Sequence, residues 1–151
     1  MIGETEGVTV ELLDHAFYMP QLDRLRRIWL CLPEGYASSG TSYPVIYMHD
    51  GQNLFDNATA SGQEWGLDET LSAMHGQCII VGIENGNDNR ATEYNYRDHE
   101  ELGEGEGRKY IEFIVSVLKP VVDEKLRTLA DRQHTFIAGS SLGGLISFYA
   151  A

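Results

Sequence analysis

The stretch Thr135-Phe136-Ile137-Ala138-Gly139-Ser140-Ser141-Leu142-Gly143-Gly144 decides the fold. A short apolar run enters a G-x-S-x-G pattern, and residues of helical composition leave it from Leu142 to Ala151. A strand that hands over to a helix through this pattern is the arrangement of a nucleophile elbow. There a serine sits on a strained turn with its hydroxyl presented at the end of the sheet. The glycines two residues before and two after Ser141 let strand and helix approach, and a Cβ at Gly143 is expected to clash where they cross. Gly144 relieves crowding further. The helix amino end brings backbone amides and a positive dipole to where an oxyanion develops. Ser141 is thereby the candidate nucleophile. The plain alternative is a glycine-rich turn with structural serines, and the flanking strand and helix argue against it.

Working outward, Val45-Ile46-Tyr47-Met48, introduced by Pro44, and Cys78-Ile79-Ile80-Val81-Gly82-Ile83 are short continuous apolar runs. Runs of this length suit strands buried on both faces, as in a parallel sheet covered by helices. Helical spacing recurs in Leu67, Leu71 and Met74, and again in Tyr110, Phe113, Ile114, Val117, Leu118 and Val121. Pro120 is expected to kink that second helix or to begin a new turn, because it removes an amide donor. Trp65 is expected to anchor helix packing rather than to serve as a substrate platform. Nearer the start, Val8, Val10 and Leu12 alternate with polar residues, and Arg27-Ile28-Trp29-Leu30-Cys31-Leu32 is stopped by Pro33. The short connection around Pro20 makes these an antiparallel pair. The order of elements is α/β with a mostly parallel sheet. Residues 1–151 read as one domain, or part of one.

Composition narrows the function. Of 151 residues, 42% are hydrophobic and 23% charged, which excludes a disordered chain. Eleven basic residues against 23 acidic ones give a net charge of −12, unsuited to a nucleic-acid backbone or an anionic membrane. Between Glu84 and Glu106, eight acids face only Arg90 and Arg97, and the stretch reads as a solvated, exposed loop. Cys31 and Cys78 lie in separate strand-like runs without metal-ligand spacing, so they read as buried free thiols. The acidic N-terminus has no apolar signal region, and a cytoplasmic location is expected. A dinucleotide-binding fold is excluded. No G-x-G-x-x-G follows the first parallel strand, and Gly103-x-Gly105-x-Gly107 has acids where phosphates would sit.

A second glycine-bearing loop, His49-Asp50-Gly51-Gln52-Asn53, follows the first buried strand. The longer block Tyr43 to Asp56 resembles the putative esterase family of α/β-hydrolases, which includes enterochelin-esterase-like, feruloyl or acetylxylan esterase-like and esterase D-like proteins. Val81-Gly82-Ile83-Glu84-Asn85-Gly86 with Arg90, Glu93 and Tyr94 is similar to it too, as are Lys119-Pro120 and Arg127-Thr128. The elbow resembles the family's G-S-S-M-G-G, with Leu142 in place of methionine. The resemblance covers nearly all of Tyr43 to Ala151 and implies an α/β-hydrolase-like sheet with helices on both faces, ending here after the elbow strand and helix. It implies Ser141 as nucleophile, Gln52 and Leu142 as oxyanion amide donors, and Gly51 as the residue that lets the loop turn inward. Arg90 and Tyr94 would border the acyl or alcohol pocket with His49, Asp50 and Gly51, although Arg90 could equally pair with neighbouring acids.

The family's triad runs serine, acid, histidine along the chain, so the acid and the base are expected beyond residue 151. His49 is the only histidine expected near Ser141, and the resemblance implies that it orients the oxyanion loop. Two readings follow. One is a serine carboxylester hydrolase acting through an acyl-enzyme on a small-molecule ester, with no metal or organic cofactor, of which these residues are a fragment inactive alone. The other is a catalytically dead module of the same fold that binds a ligand or partner. In the family's sheet the elbow strand is central, so here it is expected to lie at an edge through which chains could self-associate.

Overall fold

The computed structural model describes residues 3–5, as backbone, and 7–151. Six strands are present: β1 Gly3–Thr5, β2 Val8–Met19, β3 Arg24–Leu32, β4 Val45–Met48, β5 Ile79–Ile83 and β6 Thr135–Ala138. They form one sheet in the order β1-β2-β3-β5-β4-β6. The first three strands and β5 pair antiparallel, whereas β4 lies parallel to both β5 and β6. The antiparallel hairpin around Pro20 and the parallel run through the apolar strands thus form as expected, but because β5 pairs antiparallel with β3 the sheet among the described residues is mixed rather than mostly parallel. The hairpin is longer than its alternation suggested. Register shifts between Leu12 and Asp14 and between Asp14 and Phe17 let β2 continue past a break in its pattern.

Strands β3, β4 and β5 are apolar on both faces because both are covered, whereas β6 has no buried residue. Ile28, Leu30 and Leu32 of β3 and Ile79, Val81 and Ile83 of β5 face one core with Tyr110, Phe113, Leu118 and Ile146. The alternate residues Trp29, Cys31 and Ile80 face a second core with Leu54, Phe55, Leu67 and Leu71. Helix α1 Leu67–Ala73 covers the second face. Helix α2 Arg90–Glu93 is short, and α3 Gly107–Phe113 and α4 Lys119–Lys125 cover the first face with α5 Leu142–Ala150.

Pro120 begins a new turn, the second of the two expectations: it stands in the first turn of α4. A π-helical turn over Ile114–Leu118 joins α3 to α4, and its wider spacing accommodates the missing donor and the ring. Trp65 is 42% exposed, so it does not anchor helix packing; its chain is held instead by its amide, which donates to the Asn53 carbonyl.

The acidic stretch is also not simply a solvated face. Glu93 is fully buried, accepting from Arg24 Nη1 at 2.7 Å and from Arg26 Nη2. Glu106 accepts both terminal nitrogens of Arg24 at 2.9 Å and the Thr92 hydroxyl at 2.7 Å. Glu84 accepts Arg27 Nη2 at 2.6 Å. Burial opposes ionisation of Glu84 and Glu106, but their arginine partners outweigh it and hold both carboxyls below the usual range. Glu93 and Glu106 therefore clamp α2 and the following loop onto β3, while Glu84 ties the end of β5 to the same strand.

Among the described residues β6 pairs only with β4 and forms one edge of the sheet. An apolar groove of about 560 Å³ runs beside that edge, lined among others by Ile114, Val115, Phe136, Ile137 and Ala150. No helix among the described residues is long and apolar enough to cross a membrane.

Candidate active site

β6 ends at Ala138, and α5 begins four residues later. The turn between them carries Ser141 at φ 55°, ψ −125°. This is a region that L-residues other than glycine rarely occupy, at a cost of about 1–3 kcal/mol sustained by the surroundings. The strain turns Ser141 outward, and it is exposed. The turn closes through Gly143 N–H donating to the Ser140 carbonyl at 2.8 Å and Leu145 N–H to that of Ser141 at 3.1 Å. Leu142 is the first residue of α5, so its amide belongs to the helix-end donors that have no partner within the helix.

The crossing is tightest at Gly139. A Cβ there would lie 2.8 Å from the Gly143 carbonyl carbon and 2.9 Å from His49 Cδ2. At Gly143, where the sequence suggested the clash, the nearest atom is His49 Cβ at 3.3 Å. The difference arises because Gly143 faces the Cβ of a neighbouring side chain, whereas Gly139 lies directly against the helix backbone. At Gly144 a Cβ would meet the Gly139 carbonyl oxygen at 3.2 Å.

The second loop begins where β4 ends. His49 N–H donates to the Ala138 carbonyl at 3.1 Å, which ties the ends of β4 and β6 together. Asp50 follows in the left-handed region, at φ 56° and ψ 44°, and Gly51–Asn53 make a single 3₁₀ turn. Gly51 is required by close approach rather than by its own dihedral angles. Its Cβ would lie 2.6 Å from the Gly82 carbonyl carbon and 2.7 Å from Ile83 N. Gly51 and Gly82 together let the turn sit directly on β5. The Gln52 side chain accepts the Asn85 amide at 3.1 Å, and its carbonyl accepts the Thr59 hydroxyl at 2.7 Å. The position of a Cβ on Gly143 lies 3.5 Å from Asp50 Oδ2, so this turn and the first turn of α5 adjoin.

Asp50 is nearly buried and fully engaged. Arg90 Nε and Nη2 reach its two oxygens at 2.7 and 2.9 Å, and Asn85 Nδ2 donates to Oδ1 at 2.8 Å. The pairing with Asp50 holds the Arg90 guanidinium above its ordinary range. Arg90 thus takes the ion-pair option, with the acid from the loop after β4 rather than from its own stretch. It still lines a polar recess of about 370 Å³ with Asp50, Asn53, Ser61, Asn85 and Asn87.

His49 and Tyr94, expected to border the substrate pocket, are 0% exposed and cannot touch a substrate. Their rings pack at tilted angles with that of Tyr110, with centroids 5.2 to 5.4 Å apart. His49 Nδ1 shares a hydrogen bond with the Tyr110 hydroxyl at 2.8 Å. Burial lowers the imidazole to about 4, with Asp50 acting against it and the Arg90 charge adding to it. A histidine with its ring enclosed and its basicity depressed is a poor stand-in for a triad base. Burial likewise pushes the Tyr94 and Tyr110 phenols above their usual range. Tyr110 and Asn85 stand in segments that the sequence singles out, but nothing local there announces their long-range partners His49 and Asp50. Among the described residues no cluster of three or more His, Cys, Asp or Glu is placed to hold a metal ion.

The profile of the family described as putative esterase matches residues 20–151. The uncharacterized protein YbbA of Bacillus subtilis (strain 168) is 29% identical over 131 residues, which cover 83% of this chain and 50% of that protein. An IroE-like serine hydrolase from Shewanella oneidensis superposes with a TM-score of 0.71 at 26% identity, over 95% of this chain and 45% of that one. The enterobactin and salmochelin hydrolase IroE shares the fold at a TM-score of 0.69 and 21% identity, over 95% of this chain and 56% of the other. The chain thus spans about half the length of these relatives.

Proposed function

Because the chain belongs to the putative esterase family, we propose that Ser141 is the nucleophile of a serine carboxylester hydrolase. The observation that carries the reading is the Ser141 backbone, strained and exposed between an edge strand that runs parallel to β4 and a helix amino end. Ser141 Oγ attacks the ester carbonyl, and its proton passes to a histidine. The carbonyl electrons move onto oxygen, where the Leu142 amide and the Gln52 amide receive the charge. Collapse expels the alcohol, which takes the proton from the histidine, and water then releases the acid from the acyl-enzyme by the same steps in reverse roles. Each oxyanion donor contributes about 10²–10³ in rate, because the developing charge is met by dipoles already in place.

The histidine and its acid partner lie beyond Ala151 in this reading. It rests on the enclosed, weakly basic His49 and on the greater length of the relatives. Without them Ser141 remains protonated and the 151 residues alone turn over esters poorly. Enterobactin, named for the IroE relative, is a first natural ester to try beside short-chain aryl esters. The test is hydrolysis by the product of the complete reading frame, with and without Ser141→Ala. Loss of more than nine-tenths of turnover in a folded variant supports the assignment. Retention of more than a tenth overturns it.

A further inference from the structure

Resting on that reading, we propose that Tyr94 is a positioning residue for the oxyanion hole, its hydroxyl fixing the backbone of Asp50 and so the Gln52 amide two residues on. Asp50 occupies the left-handed region, which a non-glycine residue holds only when its neighbours enforce it. Two independent clamps do so. Arg90 and Asn85 take the carboxylate, and the Tyr94 hydroxyl accepts the Asp50 N–H at 3.1 Å. That amide lies just past the last rung of β4, where the ladder offers it no carbonyl, and a buried N–H without an acceptor is costly.

Tyr94 can serve because it cannot move. It is fully buried, packed against the His49 and Tyr110 rings, and the Arg90 guanidinium lies 5.1 Å from its ring centre. Its neighbour Glu93 is anchored to β3 through Arg24 and Arg26. The buried salt bridges in the acidic stretch thereby set the position of one phenolic oxygen, and that oxygen sets the turn bearing Gln52.

Tyr94→Phe keeps the ring and removes the hydroxyl, and with it the acceptor of the Asp50 N–H and a hydrogen bond with Tyr110. An oxyanion donor acts on the transition state, so the loss appears in kcat and not in KM. With an aryl ester and the complete protein, kcat falls about 10- to 100-fold, below one donor's full worth because the amide is displaced rather than deleted, and KM stays within about two-fold. A phenylboronic acid, which forms a tetrahedral adduct on the serine, loses affinity in parallel. A residue that serves packing alone would lower the melting temperature and leave kcat intact well below it. If kcat and boronate affinity stay within two-fold of the parent, positioning by Tyr94 is refuted while Ser141-dependent activity preserves the esterase reading. If the parent shows no Ser141-dependent turnover, that reading fails and takes this proposal with it. Hydrogen exchange on the unmodified protein covers a variant that does not fold. The Asp50 amide exchanges as slowly as the β4 amides, and exchange at exposed-loop rates overturns the proposal.

Discussion

Gly139→Ala puts one methyl group into the elbow at its closest point. The added carbon would lie 2.8 Å from the Gly143 carbonyl carbon, 2.9 Å from the Gly143 oxygen and 2.9 Å from His49 Cδ2. Ordinary carbon–carbon contact begins at about 3.5 Å, so the overlap is roughly 0.7 Å with backbone and 0.6 Å with a buried ring. Neither neighbour can yield easily. One belongs to the first turn of α5, and the other is held by Tyr110 and between the β4 and β6 ends. Overpacking of this kind costs about 1–3 kcal/mol, and we place it at the upper end. At roughly 2–4 °C per kcal/mol for a chain of this size, the melting temperature drops by about 6–12 °C. Gly143→Ala is the internal control. Its tightest contact is His49 Cβ at 3.3 Å, with Asp50 Oδ2 at an ordinary 3.5 Å, and alanine gains about 0.8–1 kcal/mol over glycine within a helix, so its midpoint moves by less than about 2 °C. Differential scanning calorimetry of the two variants and the parent decides the matter. A Gly139→Ala midpoint within 2 °C of the parent, or a larger fall for Gly143→Ala, would refute the geometry of the crossing.

Acid should unfold the protein partly through His49. Its folded value of about 4 lies below the ordinary 6.5, so the unfolded chain takes up this proton first as the pH falls. The stabilisation is complete above about pH 6.5 and is lost on descent to pH 4, a change of about 3 kcal/mol. Urea titrations at several pH values should show a steeper acid decline for the parent than for His49→Gln, and equal slopes would contradict the assignment. At the sheet edge, Phe136 is 50% exposed and β6 has an unpaired side among the described residues. The 151-residue chain alone should therefore associate in size-exclusion chromatography, and Phe136→Lys should reduce this; a monomer at tens of micromolar would oppose it.

The parts legible in the sequence are those whose cause is local. The β6-to-α5 turn is set by glycines within five residues of one another, and the apolar runs of β4 and β5 announce strands covered on both faces. The continuation of β2 through His15 and Ala16 was hidden because bulges interrupt the two-residue alternation. Glu93 was read as solvated because a charged residue in an acidic run usually is; its burial depends on Arg24 and Arg26, 67 or more residues away. The support of the turn after β4 is equally non-local. Tyr110 meets His49 across 61 residues and Arg90 meets Asp50 across 40, and nothing in the spacing within either segment foretells the meeting.

The central claim, that Ser141 is a nucleophile activated by this architecture, is tested most directly with a fluorophosphonate probe. The protein from the complete reading frame is treated, digested and read by mass spectrometry, beside its Ser141→Ala variant. One adduct on the peptide bearing Gly139 to Gly144, localised to Ser141 and absent from the variant, is the expected result. No adduct on the folded parent, or an adduct on Ser140 or any other residue that persists in the variant, would contradict it.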